Sequence, residues 1–186
     1  MMTYKIIVTT YLIFQTVLNS IYNINVPLIE GGNQSLSSYQ GKKLLIVTLP
    51  LQQNPSTDSL LFSLDTMATA HVADLKVIAT PSYEDGFTAE QKTYLNNWYR
   101  SKLGSNIIIS DGLYTRKSSG SLQHPLFSWL THVAENSRFD IDITEDEIKF
   151  FVNTDGKIYG VLRKQTKMWS KVLNRVINTP VQINED

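Results

Sequence analysis

The sequence predicts an α/β domain: a central mixed sheet, mainly parallel, with helices on both faces. Three observations carry this. The runs Lys43 to Leu49 (KLLIVTL), Leu75 to Thr80 (LKVIAT) and Asn106 to Ser110 (NIIIS) have the continuous apolar texture of strands covered on both faces. Segments with apolar residues at helical spacing separate them, so strand and helix alternate. Near the C-terminal end, Thr154-Asp155-Gly156 joins two apolar runs, a hairpin signal that adds an antiparallel edge.

With 186 residues, 42% of them hydrophobic, the chain has one domain's length and enough apolar material for a core. Lys plus Arg and Asp plus Glu balance at 17 each, so no overall field attracts nucleic acid or an anionic membrane. There is no cysteine, which excludes disulfide frameworks, zinc knuckles, iron–sulfur ligation and every thiol mechanism within this chain. His71, His124 and His132 leave little material for a metal centre, although carboxylate sites remain open.

The elements follow in order. Lys5 precedes an apolar stretch from Ile6 to Leu18, and no further charge occurs until Glu30. The stretch falls short of the about 20 residues of a membrane span and has the form of an export signal; an extra strand or helix packed on the domain competes with that reading. The expected division is therefore 1–19 as signal or apolar extension, 20–180 as the domain and 181–186 as a tail. Ile21 to Glu30 reads as a strand closed by Gly31-Gly32-Asn33. After β-strand Lys43 to Leu49 and a polar segment, Leu60, Leu61, Leu64, Met67, Ala68 and His71 recur at helical spacing. Thr88-Ala89-Glu90-Gln91 reads as a capping box opening a helix to about Leu103, with Gly104 as its stop.

Asp111 to Gln123 reads as a polar loop, and Pro125 opens a helix through Val133. Ile148 to Asn153 and Lys157 to Leu162 form the hairpin. A last helix carries Trp169, Val172, Leu173, Val176 and Ile177 on one stripe and ends at Thr179-Pro180. Strand, helix, strand, helix, strand, helix, hairpin, helix is the thioredoxin-like layout.

Three blocks carry a closer resemblance. Ser35-Leu36-Ser37-Ser38-Tyr39-Gln40-Gly41-Lys42 followed by Leu44-Leu45-Ile46-Val47 resembles the opening of glutathione peroxidases. His124-Pro125-Leu126-Phe127-Ser128-Trp129-Leu130 resembles their HPLF.WL helix start. Lys149-Phe150-Phe151-Val152-Asn153-Thr154-Asp155-Gly156-Lys157-Ile158 resembles KFLV..DGKVV. The blocks keep their order from about Ser20 to Ile177. The resemblance implies a thioredoxin-like fold of the glutathione peroxidase type and a peroxidatic Cys or selenocysteine just after the first core strand. That position falls on Gln53. The family's FPCNQF element falls on Thr80 to Asp85, placing its Cys on Ser82 and its Gln on Glu84. The WNF.KF element places its Trp on Glu145 and its Asn on Asp146.

Those departures remove the chemistry that the resemblance implies. A thiolate attacks the peroxide O–O bond, and neighbouring donors stabilise the leaving oxyanion. Gln53 supplies an amide without an ionisable form near neutral pH. Glu84, Glu145 and Asp146 accept hydrogen bonds where donors are needed, so a Gln53→Cys reversion alone is not expected to restore full activity. Glu84, Asp85, Glu145 and Asp146, with Asp140, Asp142 and Glu147 nearby, offer a hard-cation reading, set against a solvated acidic loop; no EF-hand spacing is present.

Other residues read more plainly. His71 reads as a helix-face residue and His124 as a cap or packing group. Ser118, Ser119 and Ser121 near His124 lack an orienting third group and a nucleophile elbow. Tyr94, Trp98 and Tyr99 follow one helical face, as core or a partner contact. Asn33-Gln34-Ser35 is a glycosylation sequon, relevant only in a eukaryotic secretory host. The resulting expectation is an exported, non-catalytic domain of glutathione peroxidase type that binds a protein or small ligand, without cofactor, nucleic acid or integral membrane span. Two alternatives stand beside it: a peroxide-reducing oxidoreductase by an unrecognised mechanism, and a cation- or ligand-binding pocket in the acidic cluster.

Overall fold

A computed structural model describes residues 20–179; the expected signal or extension at 1–19, the helix stop at Pro180 and the tail at 181–186 lie outside them. A five-stranded sheet runs in the order β5-β4-β3-β6-β7. Its strands are β3 (Lys43–Leu49), β4 (Leu75–Pro81), β5 (Ile107–Ile109), β6 (Lys149–Val152) and β7 (Ile158–Leu162). β3, β4 and β5 are parallel, and β6 and β7 add antiparallel. The mixed sheet and the hairpin at Thr154-Asp155-Gly156 are as the sequence predicts.

Alternation along each strand makes two cores. Leu45, Val47, Leu49, Val77, Ala79, Ile107, Ile109 and Phe151 face one side. There they meet α1 (Pro55–Ala70), α2 (Lys92–Arg100) and α5 (Lys171–Asn178) through Leu61, Leu64, Trp98, Tyr99, Leu173 and Ile177. Leu44, Ile46, Ile78, Ile108, Phe150 and Val152 face the other side, covered by α3 (Pro125–Thr131) through Leu126, Phe127, Trp129 and Leu130. Both faces are buried, which is why the strands read as unbroken apolar runs. A short helix, α4 (Val133–Asn136), follows α3.

Four expectations are corrected. Ile21 to Glu30 is not one strand: Ser20 caps a 3-10 turn at Ile21–Asn23, Asn25–Pro27 (β1) pairs with Asn33–Ser35 (β2), and Leu28 makes an isolated bridge to Ser110. Ile21 and Tyr22 turn into the core, and Pro27 cannot donate to a longer ladder. The capping box at Thr88 is half-formed: Gln91 Oε1 accepts from the Thr88 N–H at 3.2 Å. The Thr88 hydroxyl instead serves Glu90, so α2 starts at Lys92; after Arg100 a turn follows in which the Leu103 N–H still donates to the Tyr99 carbonyl at 2.8 Å. In α5, Ser170 Oγ accepts from the Leu173 N–H at 3.2 Å, which sets the helix start after Trp169. Trp169 and Val172 are exposed, and the buried stripe is Leu173 and Ile177. The polar loop Asp111 to Gln123 contains 3-10 turns at Lys117–Leu122.

The hairpin turn locks to the N-terminal turn. Gly156 has φ +75°, and a Cβ there would lie 2.7 Å from the Tyr22 ring, while Tyr22 Oη donates to the Thr154 carbonyl at 3.1 Å. Gly156→Ala is expected to cost about 1–3 kcal/mol, combining left-handed strain with overpacking. A urea midpoint equal to that of the parent would refute this.

Candidate functional site

The C-terminal ends of β3 and β4 open onto a cavity of about 410 Å³. The β3–α1 connection forms one wall with Pro50, Leu51, Gln52, Asn54 and Thr57; Asp85, Arg116, Thr144, Glu145, Asp146 and Lys164 form the rest. Tyr99 Oη donates to the Pro50 carbonyl at 2.9 Å and fixes the start of this connection. Asn54 caps α1: its Oδ1 accepts from the N–H groups of Ser56 at 2.9 Å and Thr57 at 3.1 Å. Thr57 Oγ1 accepts from the Asn54 N–H at 2.9 Å and donates to the Gln52 carbonyl at 2.8 Å. The helix N-terminus at the cavity mouth is thus capped by its own side chains.

Gln53 is exposed and does not line the cavity. Its Oε1 accepts from Tyr94 Oη at 2.9 Å, so Tyr94 leaves the face that Trp98 and Tyr99 bury. Trp98 Nε1 donates to Asp58 Oδ1 at 2.8 Å, and Lys102 Nζ lies 3.1 Å from Asp58 Oδ2. Ser82 is fully buried, its Oγ donating to Glu84 Oε2 at 2.7 Å.

Of the four carboxylates expected to converge, Asp85, Glu145 and Asp146 line the cavity and Glu84 does not. Glu84 turns away from the cavity into a loop. It accepts from the N–H groups of Thr115 at 3.0 Å and Arg116 at 2.9 Å, and from Ser119 Oγ at 2.5 Å. Burial alone would push its carboxyl up. Hydrogen bonds from Ser119, Arg116, Thr115 and Ser82 outweigh that and hold it at about 2. Asp85 pairs with Arg116, yet burial, helped by the charges of Asp146 and Glu84, pushes its carboxyl up. Asp146 lies 2.6 Å from Lys164 Nζ, and Glu147 lies 3.3 Å from it. That Asp146 bond is the main cause that raises Lys164 above the ordinary lysine range. Glu145 faces Arg163 at 3.9 Å.

The cavity is therefore a mixed-charge site and not an acidic one. Among the described residues, no group of three or more His, Asp or Glu is placed to hold a metal ion. The cation reading of Glu84, Asp85, Glu145 and Asp146 fails physically as well. Glu84 is consumed by loop donors, and the other three already have basic partners. Sequence reading missed Arg116 and Lys164 because each arrives from a loop distant in sequence, with no local motif. It also missed Asn54 and Thr57, although Asn-Pro-Ser-Thr before an apolar run is a legible helix start.

Beneath this site lies Lys149, fully buried on β6. Its Nζ donates to the Glu147 carbonyl at 2.7 Å. Burial lowers its pKa to about 8, partly offset by Glu147 and Glu145. Glu147 itself has φ +60°, a left-handed conformation outside glycine; its N–H donates to the Thr48 carbonyl at 3.0 Å. His124 is the N-cap of α3, Nδ1 accepting from the Leu126 N–H at 3.2 Å, and His71 sits at the C-cap of α1.

No family model matches the sequence, and no curated protein does. Solved structures do match in fold. The apo form of Trgpx superposes with a TM-score of 0.62 at 19% identity, covering 85% of this chain and 93% of that one. T. cruzi GPX1 gives 0.58 at 16% identity, covering 84% and 92%. The exposed lipoprotein thioredoxin Etrx1 of Streptococcus pneumoniae strain TIGR4 gives 0.51 at 18% identity, covering 78% and 91%. The described chain thus has the thioredoxin-like fold of the glutathione peroxidase type, built on a sequence without a single cysteine.

Proposed function

We propose that this chain is a non-catalytic domain of glutathione peroxidase type that acts as a binding or interaction module. One observation carries the reading: the scaffold is retained and the chain contains no cysteine. Gln53, the residue that the resemblance assigns to the nucleophile position, is an exposed amide held by Tyr94. An amide forms neither a thiolate nor a sulfenic acid, so neither half of a thiol peroxidase cycle has a group to act on. Around the remaining cavity Asp85 pairs with Arg116 and Asp146 with Lys164, while Asp85 Oδ2 and Arg116 Nε are buried without hydrogen-bond partners.

The test is peroxide turnover by protein beginning at Ser20, with hydrogen peroxide and an organic hydroperoxide, reduced by glutathione or a thioredoxin system. The expected rate equals that of buffer. Gln53→Cys is expected to gain a titratable thiol without family-like turnover. The position lies outside the cavity that holds Arg116 and Lys164, so neither cation is aimed at its leaving oxyanion. Turnover by the parent chain well above buffer would overturn the reading.

Export belongs to the same proposal. It is supported by the apolar stretch Ile6 to Leu18 behind Lys5 and by the likeness to an exposed lipoprotein. Among the described residues no helix is long and apolar enough to cross a membrane. Protein recovered from its native host is expected outside the cytoplasm with a mass lacking about the first 19 residues. A cytoplasmic protein of full mass would refute export and leave the loss of thiol chemistry untouched.

A further inference from the structure

A second concavity lies away from the mixed-charge cavity, between the outer face of α1 and the segment leading into α5. It encloses about 420 Å³, with Phe62, Thr66 and Ala70 on one wall, Trp169 and Asn174 on the other, and Met67 and Met168 at its base. A smaller cavity of about 110 Å³ adjoins it toward the start of α1, sharing Met168 and Trp169 and adding Ser56, Ser59, Lys167 and Glu147, the last paired with Lys164. At 1.5 Å per residue, Ser56 to Ala70 gives this trench a length of about 20 Å. Its lining exposes large apolar groups: Phe62 is 68% accessible and Trp169 60%.

The chain segment that forms one wall also carries uncompensated charge, with Lys167 in the lining of the smaller cavity and Lys171 and Arg175 following it in sequence. Arg163 to Arg175 contains five basic residues and no acidic one. Arg163 and Lys164 are paired with Glu145, Asp146 and Glu147. Lys167, Lys171 and Arg175 enter none of the ion pairs among the described residues. Their four-residue spacing, the last two on α5, sets three free cations along the same segment as Trp169.

We propose that this trench docks an acidic amphipathic segment of a partner protein. Apolar side chains of the partner enter over Met67 and Met168 between Phe62 and Trp169, and its flanking carboxylates meet Lys167, Lys171 and Arg175. Concavity and length favour a peptide segment over a planar bilayer. A two-fold copy of this chain would set the same cations against each other, so self-association is disfavoured. The proposal uses no step of the thiol chemistry, so peroxide turnover would leave it standing.

The test is fluorescence anisotropy with a labelled amphipathic helical peptide of about 15 residues, leucine at i, i+3, i+4 and i+7 and glutamate on its polar face. The same peptide with lysine for glutamate and vesicles of phosphatidylglycerol serve as comparisons. The acidic peptide is expected to saturate with a Kd below about 100 μM. Trp169→Ser, or Lys171→Glu with Arg175→Glu, is expected to weaken it about tenfold or more. The substituted groups are exposed, and an unchanged unfolding midpoint shows that the fold persists. No binding, equal binding of the lysine peptide, or indifference to these substitutions overturns the proposal. So does preference for the vesicles, or binding only after removal of residues 180–186, which would assign the trench to lipid or to the chain's own end.

Discussion

Glu84→Ala is expected to lower the unfolding free energy by about 2–4 kcal/mol, more than any other substitution near the cavity. The carboxylate ties the end of β4 to the Thr115–Ser119 loop, accepting from two backbone N–H groups and from the hydroxyls of Ser82 and Ser119. Alanine leaves all four donors to find water in a partly buried place, and stranded donors cost more than the bonds gained. Acid titration gives an independent reading. Glu84 ionises at about 2 in the fold and near 4.5 when unfolded. Its stabilisation is therefore complete above about pH 4.5 and is lost as pH falls toward 2. The parent is expected to lose stability across that window, with a shallower slope in Glu84→Ala. Parallel slopes in urea titrations from pH 5 to pH 2 would show that the loop bonds do not favour the ionised form.

Lys149→Met is expected to act in the opposite direction, raising stability at pH 7 by about 1–3 kcal/mol. Lys149 is fully buried, and its Nζ donates to the Glu147 carbonyl. Glu147 and Glu145 attract its charge while Lys167 and Lys164 repel it. Desolvation of a lysine costs several kcal/mol, whereas one hydrogen bond returns about one, so an apolar chain of similar length fits better. The sign of the pH effect follows from a depressed base. Below about 8 both states hold the proton, and the fold bears the full desolvation cost. Between about 8 and 10.5 the fold has released the proton while the unfolded chain keeps it, so stability rises with pH. The parent is expected to show that rise and Lys149→Met to lack it. A methionine variant less stable at pH 7 would mean that the Glu147 carbonyl, held at φ +60°, depends on the ammonium.

The architecture was legible because its signals are local. Continuous apolar runs identified β3, β4 and β5, and their alternation with helical spacing called for parallel strands covered on both faces. The Asp155-Gly156 turn identified the hairpin. Errors fell where local signals compete. Thr88 offered a capping box, but its hydroxyl bonds Glu90 instead. Trp169 extended an apolar stripe, but the Ser170 cap starts the helix only after it.

What the sequence determined by itself is the identity of the sheet's inner strands and, through the missing cysteine, the thiol chemistry this chain cannot perform. Both depend on residue type and near neighbours. Only the tertiary structure decided the electrostatics of the site. Asp85, Arg116, Asp146 and Lys164 come from four separate loops and are up to 79 positions apart, as 164 is from 85. Charge interactions depend on distance in space, and a sequence carries that distance only after folding. For that reason a run of carboxylates that read as an acidic pocket became a set of paired charges, with Glu84 turned out of it altogether.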